Sequence, residues 1–174
     1  MIIGIDLGTT TTKAVLIENS RLTQKTKIIA SDAVTAATGV FGKIVQEEKI
    51  PLNLIKGIKI TGAGASKIKD DIFNIPTSIV NEIDAIGTGG MYLSGMDNII
   101  ITNIGTGTAI IEANSLGISH LGGTGVGGGT ITGLAKKTAA NCEIKRNYQS
   151  CRYGKCKHCG SASERYNGHR FEFS

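Results

Sequence analysis

Near the N-terminus of the chain lie residue types that could bind phosphate groups and a metal ion. Asp6 ends an apolar run and precedes a Gly-Thr turn that leads to Lys13. Backbone amides, threonine hydroxyls and one cation can bind negative oxygens, and a single carboxylate can hold magnesium directly or through water. The segment therefore predicts a polyphosphate and magnesium site, with Asp6 as the metal ligand.

An ordinary hairpin with a polar turn is the alternative interpretation of this segment. Four consecutive threonines beside Gly8 are an unusual composition for a plain turn. A Walker A loop is excluded because its consensus is missing and because the chain returns into a second apolar run, Ala14–Ile17, where that loop would enter a helix. The pattern predicts a strand–turn–strand hairpin with a polar tip.

Two more glycine-rich segments follow further along the chain. The run 99–104 predicts a strand, and the turn 105–108 connects it to a second apolar run. This repeats the strand–turn–strand pattern of the N-terminal hairpin. The segment 122–133 predicts a glycine loop entering a short helix, whose N-terminus would attract an anion. Its match to G-x-G-x-x-G is weak evidence for a dinucleotide site, since a long preceding strand and a later acid are missing.

The elements that position these segments alternate between strands and helices. A hairpin over roughly 2–18 is followed by a possible strand at 21–29 and by a helix capped by Ser31 or Asp32. A short strand at 58–60 then completes a β–α–β unit, which predicts a parallel strand pair. A further helical stretch ends near Leu93. The expected fold class is α/β with a mixed sheet.

The bulk composition limits the possible classes of protein. The 174 residues are 40% hydrophobic and carry a net charge of +5. Most of that charge lies after residue 141, so the body is nearly neutral, which argues against nucleic-acid binding. No apolar run reaches the roughly 20 residues that span a membrane, and no signal peptide is recognisable. We expect a cytoplasmic protein without a nucleic-acid or membrane partner.

Composition changes abruptly near residue 138. All four cysteines lie in the basic tail 138–174, and Cys156 and Cys159 have the C-x-x-C spacing of a zinc knuckle. A second knuckle is missing, and apolar periodicity is lost. A disordered or frameshifted tail is the preferred interpretation; a zinc tail and a basic interaction tail are the alternatives.

Three segments together resemble the type II pantothenate kinases, a family with the actin-like ATPase (ribonuclease H-like) fold. They are residues 6–13, residues 81–85, and residues 103–108 followed by 121–130. The resemblance covers residues 1–137 and implies an N-terminal kinase lobe whose second lobe is missing, so the chain looks truncated. It also implies ATP-dependent phosphorylation of pantothenate, with ATP and Mg²⁺ as cofactors and a homodimer at full length.

The resemblance also implies roles for individual residues. Glu82 would be the catalytic base that accepts the proton of the substrate hydroxyl. His120 stands where related kinases carry an arginine that contacts substrate. The residues implied to bind ATP are Asp6, Leu7, Gly8, Thr9, Thr10, Thr11, Thr12, Lys13, Gly105, Thr106, Gly107, Gly128, Gly129, Thr130, Ile131 and Thr132.

Other functions remain open from the sequence. Sugar kinases and the activators of 2-hydroxyacyl-CoA dehydratases share the superfamily. The activators use body cysteines for an iron–sulfur cluster, whereas residues 1–141 of this chain contain none. A non-catalytic fragment is the alternative from a different class.

Overall fold

The N-terminal hairpin starts a five-stranded sheet. In the computed structural model, which describes residues 1–29 and 32–138, β1 (Ile2–Leu7) pairs antiparallel with β2 (Thr11–Glu18). The third strand, β3 (Arg21–Ile29), continues the antiparallel meander. Alternating apolar residues of β1 and β2 turn one face of the sheet to the core. The hairpin and the third strand are confirmed.

A helix then crosses over the sheet and returns the chain beside β1. Asp32 accepts hydrogen bonds from the amides at the start of α1 (Ala33–Glu47), so Asp32 is the N-cap. The next strand, β4 (Gly57–Thr61), is parallel to β1, and β5 (Thr77–Ile79) is parallel to β4. The strand order β3-β2-β1-β4-β5 confirms the expected β–α–β unit and mixed sheet.

The core lies between this sheet and α1. The helix turns its apolar face inward, which excludes water from the inner strands and stabilises both elements. Two short 3-10 helices lie in the connections: Leu52–Leu54 between α1 and β4, and Ala65–Lys67 between β4 and β5. The most deeply buried side chains of this core are Ile3, Ile5, Leu7, Ala14, Ala36, Ala37, Val40, Phe41, Ile44, Ile58 and Ile60.

A second, separate sheet follows the helix α2 (Glu82–Ser94). It consists of β6 (Ile99–Ile104), β7 (Thr108–Asn114) and β8 (Gly117–Thr124), paired antiparallel in that order. One face of the sheet packs on α2 so closely that a Cβ at Gly90 would lie 2.5 Å from Ile101 Cδ1. The sequence predicted the strands at 99–104 and 109–112 but did not separate them into their own sheet.

The glycine-rich segment differs from its sequence-based interpretation. Residues 122–124 continue β8 instead of forming a loop, because they pair with the start of β7. Helix α3 (Gly128–Thr138) begins inside the predicted loop. A Cβ at Gly123 would collide with the carbonyl oxygen of Thr108, so glycine is needed for strand pairing there.

The chain divides into two compact units, Met1–Thr130 and Ile131–Ser174. Both sheets belong to the first unit, and the second is described only as far as residue 138. The predicted boundary near 137 stays a prediction. The predictions about Cys142, Cys151, Cys156, Cys159, His158 and His169 concern residues outside the described ranges and also stay predictions. In the described part of the chain, no helix is long and apolar enough to cross a bilayer.

Candidate functional site

A cleft of about 880 Å³ opens where the two Gly-Thr turns and the start of α2 meet. All of its lining residues lie in the first compact unit. The cleft contains most of the residues that the sequence singled out. Those that line it are Asp6, Gly8, Thr9, Thr10, Thr11, Lys13, Glu82, Gly105, Thr106, Gly107 and His120.

Asp6 lies at the end of β1, between two neighbouring strands. Lys13 is its register partner on β2, and Lys13 Nζ lies 3.0 Å from Asp6 Oδ2. Thr61 is its register partner on β4. The next residue, Gly62, has φ of +90°, and a Cβ there would lie 2.6 Å from Asp6 Oδ1. Glycine at this position therefore leaves room for the carboxylate, which is half-buried at the cleft.

The tips of the two Gly-Thr turns touch each other. The hydroxyls of Thr9 and Thr106 are 2.8 Å apart and form a hydrogen bond between residues 97 positions apart in the chain. Thr9 follows β1 and Thr106 follows β6, so this contact joins the ends of the two sheets. The cleft accordingly presents hydroxyls and backbone groups from both sheets, which suits an oligophosphate with oxygens on several sides.

Two residues of the first turn face the core instead of the cleft. Leu7 and Thr12 are opposite each other in register, and their side chains are buried in the core. Since side chains alternate between the faces of a strand, they point away from their neighbours Asp6 and Lys13. Thr12 Oγ1 has no hydrogen-bond partner among the described residues. The structure thus does not bring these two side chains to the predicted phosphate site.

Glu82 is the first residue of α2 and is exposed at the cleft. Asn81 caps the helix by accepting from the amide of Ile83 at 2.8 Å and from that of Asp84 at 3.4 Å. The cap fixes where the helix begins and thereby positions the Glu82 side chain at its N-terminus. A carboxylate there is also favoured by the helix dipole.

The turn after β6 is held by the start of α3. The amide of Gly128 donates to Gly105 O at 2.8 Å, and the amide of Gly129 donates to Thr106 O at 3.1 Å. A Cβ at Gly127 would lie 2.7 Å from the carbonyl oxygens of Thr106 and Gly107. The glycines therefore permit one loop to pack on the other. The amides of Gly128 and Gly129 are hydrogen-bonded to the carbonyl oxygens of Gly105 and Thr106.

Five residues of the glycine-rich segment are predicted to bind the nucleotide. Gly128, Gly129 and Thr130 are not among the residues that line the cleft. Ile131 and Thr132 belong to α3 and to the second compact unit. Direct contact of these five residues with a nucleotide stays a prediction. The observed role of Gly128 and Gly129 is to support the turn at residues 105–107.

His120 lies on β8, exposed at the cleft, and pairs in register with Ile111. Sequence reasoning assigned no role to four further polar residues that line the cleft, Thr61, Asn103, Thr108 and Thr124. Thr61 could have been found from its position at the end of the strand parallel to β1. Asn103 occupies the place in the second hairpin that Asp6 occupies in the first, 97 residues earlier.

The donor set fits a magnesium ion bound together with phosphates. Within residues 1–29 and 32–138, no three His, Cys, Asp or Glu side chains are close enough to form a metal site of their own. Magnesium needs no such set, because it is usually held by one or two carboxylates, water and substrate phosphates. Asp6 supplies one half-buried carboxylate at the cleft.

Comparison with known structures shows the fold. The chain superimposes on the activator of 2-hydroxyisocaproyl-CoA dehydratase from Clostridium difficile with bound ADPNP, with a TM-score of 0.58 and 18% identity over 80% of this chain and 52% of that one. A candidate N-acetylglucosamine kinase from Porphyromonas gingivalis gives a TM-score of 0.51 and 15% identity over 83% of this chain and 59% of that one. The fold is that of the actin-like ATPases and sugar kinases, as predicted.

In sequence, the chain is similar to the type II pantothenate kinases, which confirms the resemblance. It is 38% identical to the enzyme of that name from Bacillus cereus over 141 residues, and 31% identical to that from Staphylococcus saprophyticus over 139. Each match covers 77% of this chain and 48% of the relative, so the chain spans about half the length of these relatives. No protein-family profile matches the chain.

Proposed function

We propose that this chain provides the phosphate-binding cleft of an ATP-dependent kinase that converts pantothenate to 4'-phosphopantothenate, the first step of coenzyme A biosynthesis. The main support is the convergence of both Gly-Thr turns and Glu82 on one cleft. The names of the sequence relatives support pantothenate as the substrate. We further propose a cytoplasmic protein that forms a homodimer at full length and binds neither nucleic acid nor membrane.

ATP phosphates would bind between the two turns. Lys13 is positioned to donate to a phosphate oxygen, because its ammonium group already lies 3.0 Å from the Asp6 carboxylate at the same end of the cleft. Asp6 would hold Mg²⁺, which neutralises phosphate charge when it is bound. The hydroxyls of Thr9 and Thr106 and the backbone of residues 105–107 would contact further oxygens. Phosphoryl transfer depends mainly on such positioning and charge stabilisation.

Glu82 would act as the general base. Its carboxylate accepts the proton of the attacking primary hydroxyl while the γ-phosphoryl group moves from ATP to that oxygen, leaving ADP. The exposed side chain of Glu82 can reach substrate without displacing packed residues. His120, also exposed at the cleft, would donate a hydrogen bond to substrate in place of the arginine of related kinases.

Measuring ADP release with a panel of acceptors tests this proposal. Pantothenate, N-acetylglucosamine and glycerol would be compared at equal concentration with the purified 174-residue chain. We expect turnover with pantothenate and loss of at least about a hundredfold in kcat for Glu82→Gln, with ATP binding retained. Asp84→Asn is the matched control, since Asp84 is an exposed acid of the same helical turn outside the cleft lining.

The outcomes separate the competing functions. Turnover with N-acetylglucosamine alone would indicate a sugar kinase. ATP hydrolysis without a preferred acceptor would indicate an activator-type ATPase, although the absence of cysteine from residues 1–141 argues against an iron–sulfur cluster. Tight ATP binding without chemistry would identify a non-catalytic fragment. Normal turnover in Glu82→Gln would reject Glu82 as the base.

A further inference from the structure

A buried hydroxyl without a partner lies at the end of the strand beside Asp6. Thr61 is the last residue of β4, and its Oγ1 is shielded from solvent and has no hydrogen-bond partner among the described residues. Burying a hydroxyl without a hydrogen bond is unfavourable, so such a group calls for a partner that the polypeptide itself does not supply, such as a water or an ion. The proposed function assigns no role to this residue.

Thr61 belongs to a row of three polar residues on adjacent strands. Asp6 pairs in register with Lys13 on one side and with Thr61 on the other. Ile60, the residue before Thr61, is buried in the core, so Thr61 points to the opposite face of the sheet, which it shares with Asp6. Neighbouring strands lie about 4.8 Å apart, a separation that one water, hydrogen-bonded on both sides, can bridge.

The two carboxylate oxygens of Asp6 have different surroundings. Oδ2 accepts a hydrogen bond from Lys13 Nζ at 3.0 Å. Oδ1 lies toward β4, because a Cβ on Gly62, the residue after Thr61, would be only 2.6 Å from it. Lys13 therefore binds one side of the carboxylate, and the other oxygen is directed to the strand end that carries the unpartnered hydroxyl.

A second unpartnered hydroxyl in the same sheet shows why the position of Thr61 matters. Thr12 Oγ1 also lacks a partner among the described residues, but Thr12 is 1% exposed and lies in the core opposite Leu7, where a ligand has no access. Thr61 instead lines the cleft. A rotation about its χ1 angle exchanges the hydroxyl with the methyl group of the same side chain, and this can present the oxygen to a ligand in the cleft.

We propose that Thr61 is a positioning residue of the metal site: its hydroxyl hydrogen-bonds a water of the Mg²⁺ that Asp6 holds and thereby fixes the ion at the ends of β1 and β4. This inference rests on the proposed function, in which Mg²⁺ enters the cleft with the phosphates of ATP. Magnesium keeps several of its waters when one or two carboxylates bind it, and the groups that hydrogen-bond to such ligands orient them. Thr61 acts through the ion and not on the reacting atoms.

Titration calorimetry of ATP binding to the purified 174-residue chain, with Mg²⁺ or with EDTA in its place, tests this role. The wild type should bind ATP more tightly with Mg²⁺. Thr61→Val should weaken binding about tenfold in Mg²⁺ and by less than about twofold in EDTA, since only the ion needs the hydroxyl. Thr61→Ser keeps the hydroxyl and should restore Mg²⁺-dependent binding. Thr26→Val is the matched control, because Thr26 is a half-buried threonine of β3 outside the cleft lining.

The unfolding midpoint of Thr61→Val without metal provides a second test. Valine removes an unpaired hydroxyl and keeps the shape of the side chain, so the midpoint should equal or exceed that of the wild type. A lower midpoint would indicate a structural water and overturn the inference. Equal loss of ATP affinity in Mg²⁺ and EDTA, or no loss in either, would overturn it while the proposed function stands. Wild-type ATP binding that is absent, or independent of Mg²⁺, would instead reject the phosphate or metal site of the proposed function, and this inference with it.

Discussion

At the scale of single residues, the cleft is built by the alternation of side chains along two strands. Asp6 and Lys13 face each other across β1 and β2 and reach the cleft, whereas Leu7 and Thr12, one position away on each strand, are buried. If residues 6–13 formed only a loop, no side chain would be expected to differ from its neighbours in this way. Because they include strand ends, Asp6 and Lys13 are available for binding, whereas Leu7 and Thr12 pack in the core and should respond differently to substitution.

Lys13→Met is expected to reduce ATP affinity roughly 10- to 150-fold, since a charge-assisted hydrogen bond to phosphate contributes on the order of 1.5–3 kcal/mol. The free energy of unfolding should change by less than about 1 kcal/mol, because the Lys13–Asp6 pair is solvent-exposed. Isothermal titration calorimetry and urea denaturation measure the two quantities. Lys25→Met, an exposed lysine of β3 outside the cleft, is the control and should alter neither.

Sequence alone singled out much of the lining of this cleft. The types of Asp6, Lys13 and the threonines were sufficient to indicate phosphate binding. The roles of Gly128 and Gly129 could not be predicted in the same way, because a glycine that approaches a ligand and one that approaches another loop have the same sequence signature. Only the packing of Gly127 on the carbonyls of Thr106 and Gly107 distinguishes them.

At the scale of elements, the start of α1 depends on one carboxylate. Amides of Val34 and Thr35 donate to Asp32 Oδ1 at 3.1 and 3.0 Å. Hydrogen bonds from Thr35, by its side chain first and then its amide, and a further one from the Val34 amide hold the pKa of Asp32 below its ordinary value of 3.8. A lowered pKa means that the ionised form stabilises the folded state.

The contribution of Asp32 to stability should be fully present above about pH 3.8 and should be lost as the pH falls through the lowered pKa. Asp32→Ala is therefore expected to lower the urea midpoint at pH 7, and its difference from the wild type should shrink in acid. Asp32→Asn keeps a capping oxygen without a titrating group, so its stability should stay closer to the wild type and lack this pH dependence. Equal behaviour of both variants would contradict the assignment.

The contact between α2 and the second sheet offers a matched pair of glycines. A Cβ at Gly90 would lie 2.5 Å from Ile101 Cδ1, whereas a Cβ at Gly89 would have no atom within 4 Å. Gly90→Ala should destabilise the protein by about 1–3 kcal/mol through overpacking. Gly89→Ala should stabilise it by up to about 1 kcal/mol, since alanine is the better helix former. Urea denaturation of both variants would measure this, and a similar change for both would show that α2 does not pack as described.

Element boundaries were predicted well where local signals were strong, as for the hairpin, β3, α1 and β6. They were predicted less well where tertiary pairing decided the outcome. Residues 122–124 have poor strand propensity because two of the three are glycine, yet pairing with β7 extends β8 through them. The separation of the strands into two sheets depends on long-range pairing, which local periodicity does not encode.

At the scale of the whole molecule, the two sheets are in contact where their turns meet, through the 2.8 Å hydrogen bond between the Thr9 and Thr106 hydroxyls. Because an exposed hydrogen bond contributes modestly, we expect Thr9→Val and Thr106→Val to be coupled by roughly 0.5–1 kcal/mol in a double-mutant cycle of unfolding free energies. Urea denaturation of the wild type, both single variants and the double variant provides the cycle. Thr9→Val combined with Thr88→Val is the control, since Thr88 is an exposed residue of α2 outside the cleft lining and the effects should add.

Saturating ATP should change this coupling if the nucleotide binds as proposed. Phosphate oxygens between the turns would accept from both hydroxyls, so the two threonines would then contribute through the ligand and no longer through each other. The ATP-induced shift in the unfolding midpoint should therefore fall in each single variant, and by more in the double variant. A coupling that is the same with and without ATP would mean that the nucleotide does not enter between the turns, and the phosphate site would have to lie on one sheet alone.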